Sequence, residues 1–307
     1  DLESCADVRK RYERAVAGNT GLDCFDAWAN ELQSTGYLHN HARMWFASIW
    51  VFTLELPWQL GADFFYRHLL DGDPASNTLS WRWVSGLHTP GKTYLATAAN
   101  IAKFTDNRFH PEGLATHAPA PKMPDVYPLE HLPASQSLEA SERFGLFITE
   151  EDCFPEPILG TDAPAAIMGA VATRMRSPLP ISDFAEKFAN GAVSDALERS
   201  SRIFAVNGEL TDSLDWGDTL LEWAKAHDLK TIATAHAPVG PVAELLAEAA
   251  DKLAQHGIRL LQLRRPYDSL VWPHARRGFF KLKDQIPALI ERLGNDPVPA
   301  AITKKAG

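Results

Sequence analysis

"TGYLHNHARMWFASIWVFTLELPW" (Thr35–Trp58) sets Tyr37, His39, Asn40, His41 and Arg43 immediately ahead of a long apolar run. Polar side chains at the entrance to a buried helix need partners, because a polar group left dry and unpaired costs about 1 to 3 kcal/mol. The cluster reads either as a structural knot or as one wall of a pocket for a polar ligand. The run behind it, Met44 to Leu60, is rich in Trp and Phe, but Pro57 interrupts it and it is too short to span a bilayer comfortably. It predicts a core helix carrying Met44, Trp45, Ile49, Phe52 and Leu56.

The flanks continue the helical pattern. Upstream, "FDAWANELQSTG" has apolar residues at three- and four-residue spacing and stops at Gly36. Downstream, "GADFFYRHLLDGD" predicts another amphipathic helix, closed by the turn-forming Asp71, Gly72, Asp73 and Pro74. This character persists to about residue 115. From Thr116 to Ser137, "THAPAPKMPDVYPLEHLPASQS" carries Pro at short intervals, the composition of an extended, semi-rigid linker.

Beyond it, strands and helices alternate. "FGLFIT", "AIMGAVAT", "KTIATA" and "IRLLQL" read as buried strands, and "SSRIFAV" as a further one. "SDFAEKFANGAVSDALERS", "WGDTLLEWAKAHD", "VAELLAEAADKLAQHG" and "LKDQIPALIERLG" read as helices. Apolar strands alternating with helices imply a mostly parallel sheet covered on both faces. The expected fold class is α plus α/β: a helical region over 1–115, a linker over 116–137 and an α/β domain over 138–307.

Composition bounds the function. The 307 residues are 45% hydrophobic and 22% charged, which is globular. A net charge of -9 excludes a surface that is basic all over, so a nucleic-acid contact requires a local patch. Cys5, Cys24 and Cys153 lie far apart with no CxxC spacing, which suggests neither a disulfide framework nor a zinc site. The charged start "DLESCADVRKRYERAV" has no apolar signal segment. A cytoplasmic protein with no membrane span is expected.

The motif extends past the opening stretch: "TGLDCFDAWANELQSTGYLHNHARMW", then "LPWQLGADFFYRHLLDGDPASNTLSWRWVSG", then "GKTYLATAANIAKFT". From Thr20 to about Gly113 it resembles the flavin-binding helical domain of the photolyase and cryptochrome family, whose members show TG..fDA...eL..tG..HN..RM..AS followed by LxDgDxAsNxxxWxW. The resemblance implies FAD as cofactor, damaged DNA as partner and light-driven, photo-lyase-like repair of pyrimidine dimers. A cryptochrome-like photoreceptor, or an incomplete chain without flavin activity, are the alternatives. Tyr37, Leu38, His39, Asn40, Arg43, Asp71, Gly72, Asp73 and Asn77 match cofactor-binding positions. Among them Arg43 is expected beside the flavin ring with Asp73 as its partner, and Asn77 near flavin N5. Asn40, His41 and Met44 match the rim of the substrate cavity. Trp58 and Trp81 match two members of the tryptophan chain that feeds electrons to the flavin. The third member falls near Cys5, where there is no tryptophan, and Tyr12 or Trp83 are its candidate substitutes.

The resemblance also implies an upstream stretch holding the FAD phosphates, so the chain is expected to be the C-terminal part of this helical domain, followed by an antenna-like α/β domain in swapped order. Leu79 and Ser80 stand where the family commonly has glycines.

Blander readings stand beside these. Trp45, Trp50 and Phe52 at helical spacing are core packing. "DGDPASN" is not a calcium loop, since Ser76 replaces the required Gly and Arg82 the closing Glu. His39 and His41 have no third ligand at a sensible spacing, so no metal is expected. "HAPVGPVAELL" reads as an anion-binding turn or as an ordinary strand-to-helix connection. "RRPYDSLVWPHARRGFFKLK" reads as a phosphate-contacting patch or as a solvated surface.

Overall fold

The computed structural model describes residues 5–88, 92–119, 130–160, 162–276 and 278–295. The chain divides into two compact units, one taking in residues 1–126 and 173–189, the other 127–172 and 190–307. The middle of the predicted linker, residues 120–129, lies outside the described residues.

The first unit holds α1 (Ala6–Val16), α2 (Asp23–Thr35), α3 (Asn40–Ser48), α4 (Trp58–His68), α5 (Pro74–Val84) and α6 (Ala98–Phe104). Gly36 ends α2 in the left-handed conformation, φ 69°, and its N–H returns to the Leu32 carbonyl. His39 opens α3, its Nδ1 accepting from the His41 N–H at 3.3 Å. Asp73 opens α5, its carboxylate accepting from the Ser76 N–H at 2.6 Å, with Pro74 in the first turn.

The helix expected to run through Leu56 stops earlier. After α3 the backbone widens into a π-turn, Ile49–Thr53, and Glu55 at φ 50° breaks the path before Pro57. The residue before a proline is pushed out of the helical region, so Leu56 is buried beyond the helix instead of on it.

The core of this unit is aromatic. Phe46 stacks on Phe25 at 4.1 Å, and Trp50 on Phe64 at 6.2 Å. Trp81 meets Phe65 and Trp50 edge-on, at 5.0 and 6.2 Å. Gly61 on α4 makes room for that arrangement, because a Cβ there would run into the Trp81 ring and come within 3.0 Å of Trp50. Residues 173–189 are tied to α4: Arg67 donates to the Pro180 carbonyl at 2.9 Å, and the Ser182 N–H returns to the Arg67 carbonyl at 3.0 Å.

The second unit contains β1 (Phe144–Thr149), α7 (Glu156–Leu159), β2 (Ala166–Ala170), α8 (Asp183–Phe204, from Asn190 onward), β3 (Gly208–Leu210), α9 (Trp216–Ala226), β4 (Thr231–Ala235), α10 (Pro241–Ala254), β5 (Arg259–Leu263), α11 (Pro266–Val271), α12 (Phe279–Lys283) and α13 (Ile286–Asn295). Its five strands are all parallel in the order β3-β2-β1-β4-β5. β1, β2 and β4 are buried along their whole lengths. Phe147 and Met168 pack under α9 and α10, while Gly169 lies against Val193 and Leu197 of α8. The protein is therefore α plus α/β.

Two sequence expectations in this unit are corrected. "SSRIFAV" is not a strand: α8 continues through it to Phe204, and Ala205 at φ 56° then turns the chain. Buried Ser200 is held there by donating to Glu156 at 2.7 Å, and the edge strand β3 follows afterwards. The closing helix is two, α12 and α13, separated just before Pro287.

Gly61 sets two effects against each other. Alanine is ordinarily better than glycine inside a helix by about 1 kcal/mol, whereas overpacking costs about 1 to 3 kcal/mol. Gly61→Ala is expected to lower stability in urea unfolding; an unchanged or raised midpoint would show that the Trp81–Trp50 contact yields easily.

Candidate functional site

A cavity of about 460 Å³ is lined by α3, α5 and the segment that joins α4 to α5. α3 contributes Asn40, Arg43, Met44 and Ala47, the connecting segment Leu69, Asp71, Gly72 and Asp73, and α5 Ser76, Asn77, Ser80, Trp81 and Val84. The α5 residues recur at three- and four-residue intervals, so one face of that helix forms a wall.

Arg43 is the anchor. Its Nε donates to the Leu38 carbonyl at 2.9 Å, and its Nη2 donates to both Asp71 carboxylate oxygens at 3.0 Å. Asp73, the partner expected from sequence, is occupied instead as the cap of α5, where the first-turn N–H groups require an acceptor. Asn77 donates from Nδ2 to the Ala62 carbonyl at 2.8 Å, which fixes its amide plane and leaves Oδ1 without a donor among the described residues. Asn40 reaches the Met44 sulfur at 3.8 Å. Trp81 is 2% exposed, and its indole N–H has no acceptor among the described residues.

The structure thus brings together on one cavity Asn40, Arg43, Met44, Asp71, Gly72, Asp73, Asn77 and Trp81. The other predicted residues lie off its described lining. Tyr37 is exposed, with the Arg43 guanidinium 5.9 Å from its ring centre. Leu38 is core. His39 caps α3, and His41 packs against His39, Trp45 and Phe104 at 5.0 to 5.6 Å. Trp58 is half-buried beneath Arg82, whose guanidinium carbon is 5.8 Å from its ring centre.

Ser76, Trp83 and His88 also line the cavity and were not assigned a place in it from sequence; Leu79 and Ser80 were noted only as replacements for glycine. A helix over 74–84 would have exposed Ser76 and Ser80 by their spacing to Asn77 and Trp81. His88 follows α5 in an irregular segment and carries no periodic signal.

One residue before Leu69, burial and then the Arg67 charge hold the His68 imidazole down at about 4, so it is neutral at pH 7. Among the described residues no group of three or more His, Cys, Asp or Glu is placed to hold a metal ion, and no helix is long and apolar enough to cross a membrane.

The FAD-binding domain of DNA photolyase matches residues 3–168, more than half of the chain. The chain belongs to that family. It is 35% identical to the deoxyribodipyrimidine photo-lyase of a Thermus thermophilus strain over 133 residues, covering 43% of this chain and 31% of that protein. It is likewise 35% identical to the Streptomyces griseus photo-lyase, covering 38% of this chain and 30% of that protein. Against cryptochrome-1 of Arabidopsis thaliana it is 28% identical, covering 52% of this chain and 23% of that protein. The chain spans under a third of the length of these curated relatives. No solved structure matches it significantly.

The Asp71 side chain is 62% exposed, and exposed ion pairs contribute only about 0 to 1 kcal/mol. Asp71→Asn is therefore expected to change unfolding stability by no more than about 1 kcal/mol. A markedly larger loss in chemical denaturation would make the pair a structural element first.

Proposed function

We propose that this chain supplies a wall of the FAD site in a light-driven DNA-repair flavoprotein that acts on pyrimidine dimers. The observation that carries the reading is the convergence on one cavity of the Arg43–Asp71 pair, Asn77 with its unengaged Oδ1, and the Trp81 indole. A flat, polar-edged heteroaromatic ring suits these groups. It offers an aromatic face to the Trp81 indole, a protonatable nitrogen to Asn77, and a site of developing negative charge to Arg43.

The fuller cofactor set is Tyr37, Leu38, His39, Asn40, Arg43, Asp71, Gly72, Asp73 and Asn77, with Tyr37, Leu38 and His39 acting from behind the lining by holding Arg43 and the start of α3. Asn40, His41 and Met44 border the substrate, Trp81 serves electron supply, and Trp58 is the position the family resemblance offers for the step behind it. Reduced and photoexcited FAD supplies the electron that opens the cyclobutane ring and recovers it afterwards. The residues orient the ring and stabilise its charge; Arg43 does so as a fixed cation that loses no reorganisation energy at the moment of transfer.

The described lining contains one Arg, paired with Asp71, together with Asp73. In this reading the FAD phosphates are held elsewhere, by a segment that the family places upstream. The five-stranded unit is read as antenna-like on fold analogy alone.

The test combines an FAD titration followed by visible absorption with blue-light repair of an oligonucleotide containing a cyclobutane dimer. A structured flavin band, bleaching under light with a reductant, and dimer loss are expected. Flavin uptake and photoreduction without repair would favour the photoreceptor alternative. Absence of uptake of FAD and of riboflavin alike would refute the site, since riboflavin needs no phosphate-binding segment. Arg43→Ala is expected to weaken FAD binding by roughly 10- to 100-fold, the equivalent of a charged hydrogen bond of about 1.5 to 3 kcal/mol.

A further inference from the structure

We infer that electrons reach the cavity from Tyr12 through Trp50 to Trp81, with Tyr12 as the terminal donor. The inference rests on the flavin reading, and it adds Trp50, read from sequence as core, between Trp81 and Tyr12.

Trp81 lines the cavity. Among the described residues its aromatic ring neighbours are Phe46, Phe65 and Trp50, and only Trp50 is readily oxidised. The two indoles meet edge-on with centroids 6.2 Å apart. Trp50 is fully buried, and its N–H donates to the Pro57 carbonyl at 3.0 Å. That dipole stabilises positive charge on the indole. On its far side Trp50 meets Tyr12 of α1 edge-on, with centroids 6.0 Å apart.

Tyr12 is built for more than packing. It is 8% exposed, and its hydroxyl accepts from Arg67 Nη2 at 2.9 Å, while Arg67 Nε donates to Asp63 at 2.8 Å. The phenol therefore shares a partner with a carboxylate that is 25% exposed. Trp58 has the opposite environment. Among the described residues it contacts no other aromatic ring, and it lies beneath the Arg82 guanidinium, a cation that opposes a positive hole on the indole. Position 5, where the resemblance would place an outer tryptophan, is an exposed cysteine.

The electrons and protons balance as follows. Trp81 gives one electron to the photoexcited oxidised flavin and becomes an indole radical cation. Trp50 refills Trp81, and Tyr12 refills Trp50. The oxidised phenol is a strong acid beside the Arg67 cation, so its proton leaves for water and a neutral tyrosyl radical remains. One electron has moved from Tyr12 to the flavin and one proton from Tyr12 to water. Loss of the proton traps the hole away from the cavity, which opposes its return.

The experiment is electron paramagnetic resonance on the full chain, freeze-trapped under blue light with FAD, after FAD uptake has been scored separately by absorption. The native sequence should give a tyrosyl signal. Tyr12→Phe, which removes only the hydroxyl, should replace it with a tryptophanyl signal, and Trp50→Phe should remove the tyrosyl signal. A tyrosyl signal that persists in Tyr12→Phe overturns the proposal, as does one that persists in Trp50→Phe but is lost in Trp58→Phe. A chain that takes up neither FAD nor riboflavin overturns the flavin reading and the Trp81 leg with it. The Trp50–Tyr12 leg is then decided on the flavin-free chain, oxidised by photogenerated ruthenium(III) tris-bipyridine. Loss of the tyrosyl signal in both Tyr12→Phe and Trp50→Phe supports that leg, and persistence in either overturns it.

Discussion

Arg43 joins two pieces of chain that are remote in sequence. One arm of its guanidinium holds the Leu38 carbonyl just ahead of α3, and the other holds Asp71 in the segment between α4 and α5. A planar cation with several fixed donors can serve both at once, which a lysine cannot. Asn40 and Met44 stand on α3 beside Arg43 and line the same cavity. The polar entrance to the apolar helix therefore finds partners within the chain and also lines a cavity.

Behind that entrance the wall is made of core. Trp81 closes the cavity on one side and packs on Trp50 and Phe65 on the other, and Gly61 permits the approach. Protein interiors are close-packed, so a change at Gly61 or Trp50 is transmitted to the ring that faces the cavity. Stability and site geometry share the same atoms here, which ties the aromatic core to the chemistry proposed for it. The buried indole N–H of Trp81 has no acceptor among the described residues, and a donor without a partner costs free energy in the folded chain.

Much of this was legible beforehand, for identifiable reasons. The buried parallel strands announced themselves as continuous apolar runs, and α2 by its helical spacing and terminal Gly36. Asn40, Arg43, Asp71 and Asn77 were named because their order and spacing match a known family. What the sequence hid was three-dimensional competition for partners. Asp71 and Asp73 are both acidic and two residues apart, and only the capping demand of α5 decides which of them is left for Arg43. Trp50 read as ordinary core, since nothing in a helical pattern reveals that a π-turn sets it edge-on to Trp81 and Tyr12. "SSRIFAV" looked like a strand because β-branched and aromatic residues suit one, yet Ser200 bonds to Glu156 and keeps the segment on α8.

The most direct test of the central claim is the indole region of a ¹⁵N–¹H correlation spectrum of the chain during an FAD titration, with Trp81→Phe assigning the peak. The account predicts that the Trp81 N–H resonance moves as the flavin ring comes against the indole, while those of Trp216 and Trp223 in the second unit stay in place. A Trp81 resonance that remains fixed at saturating FAD would contradict the assignment of this cavity to the flavin ring.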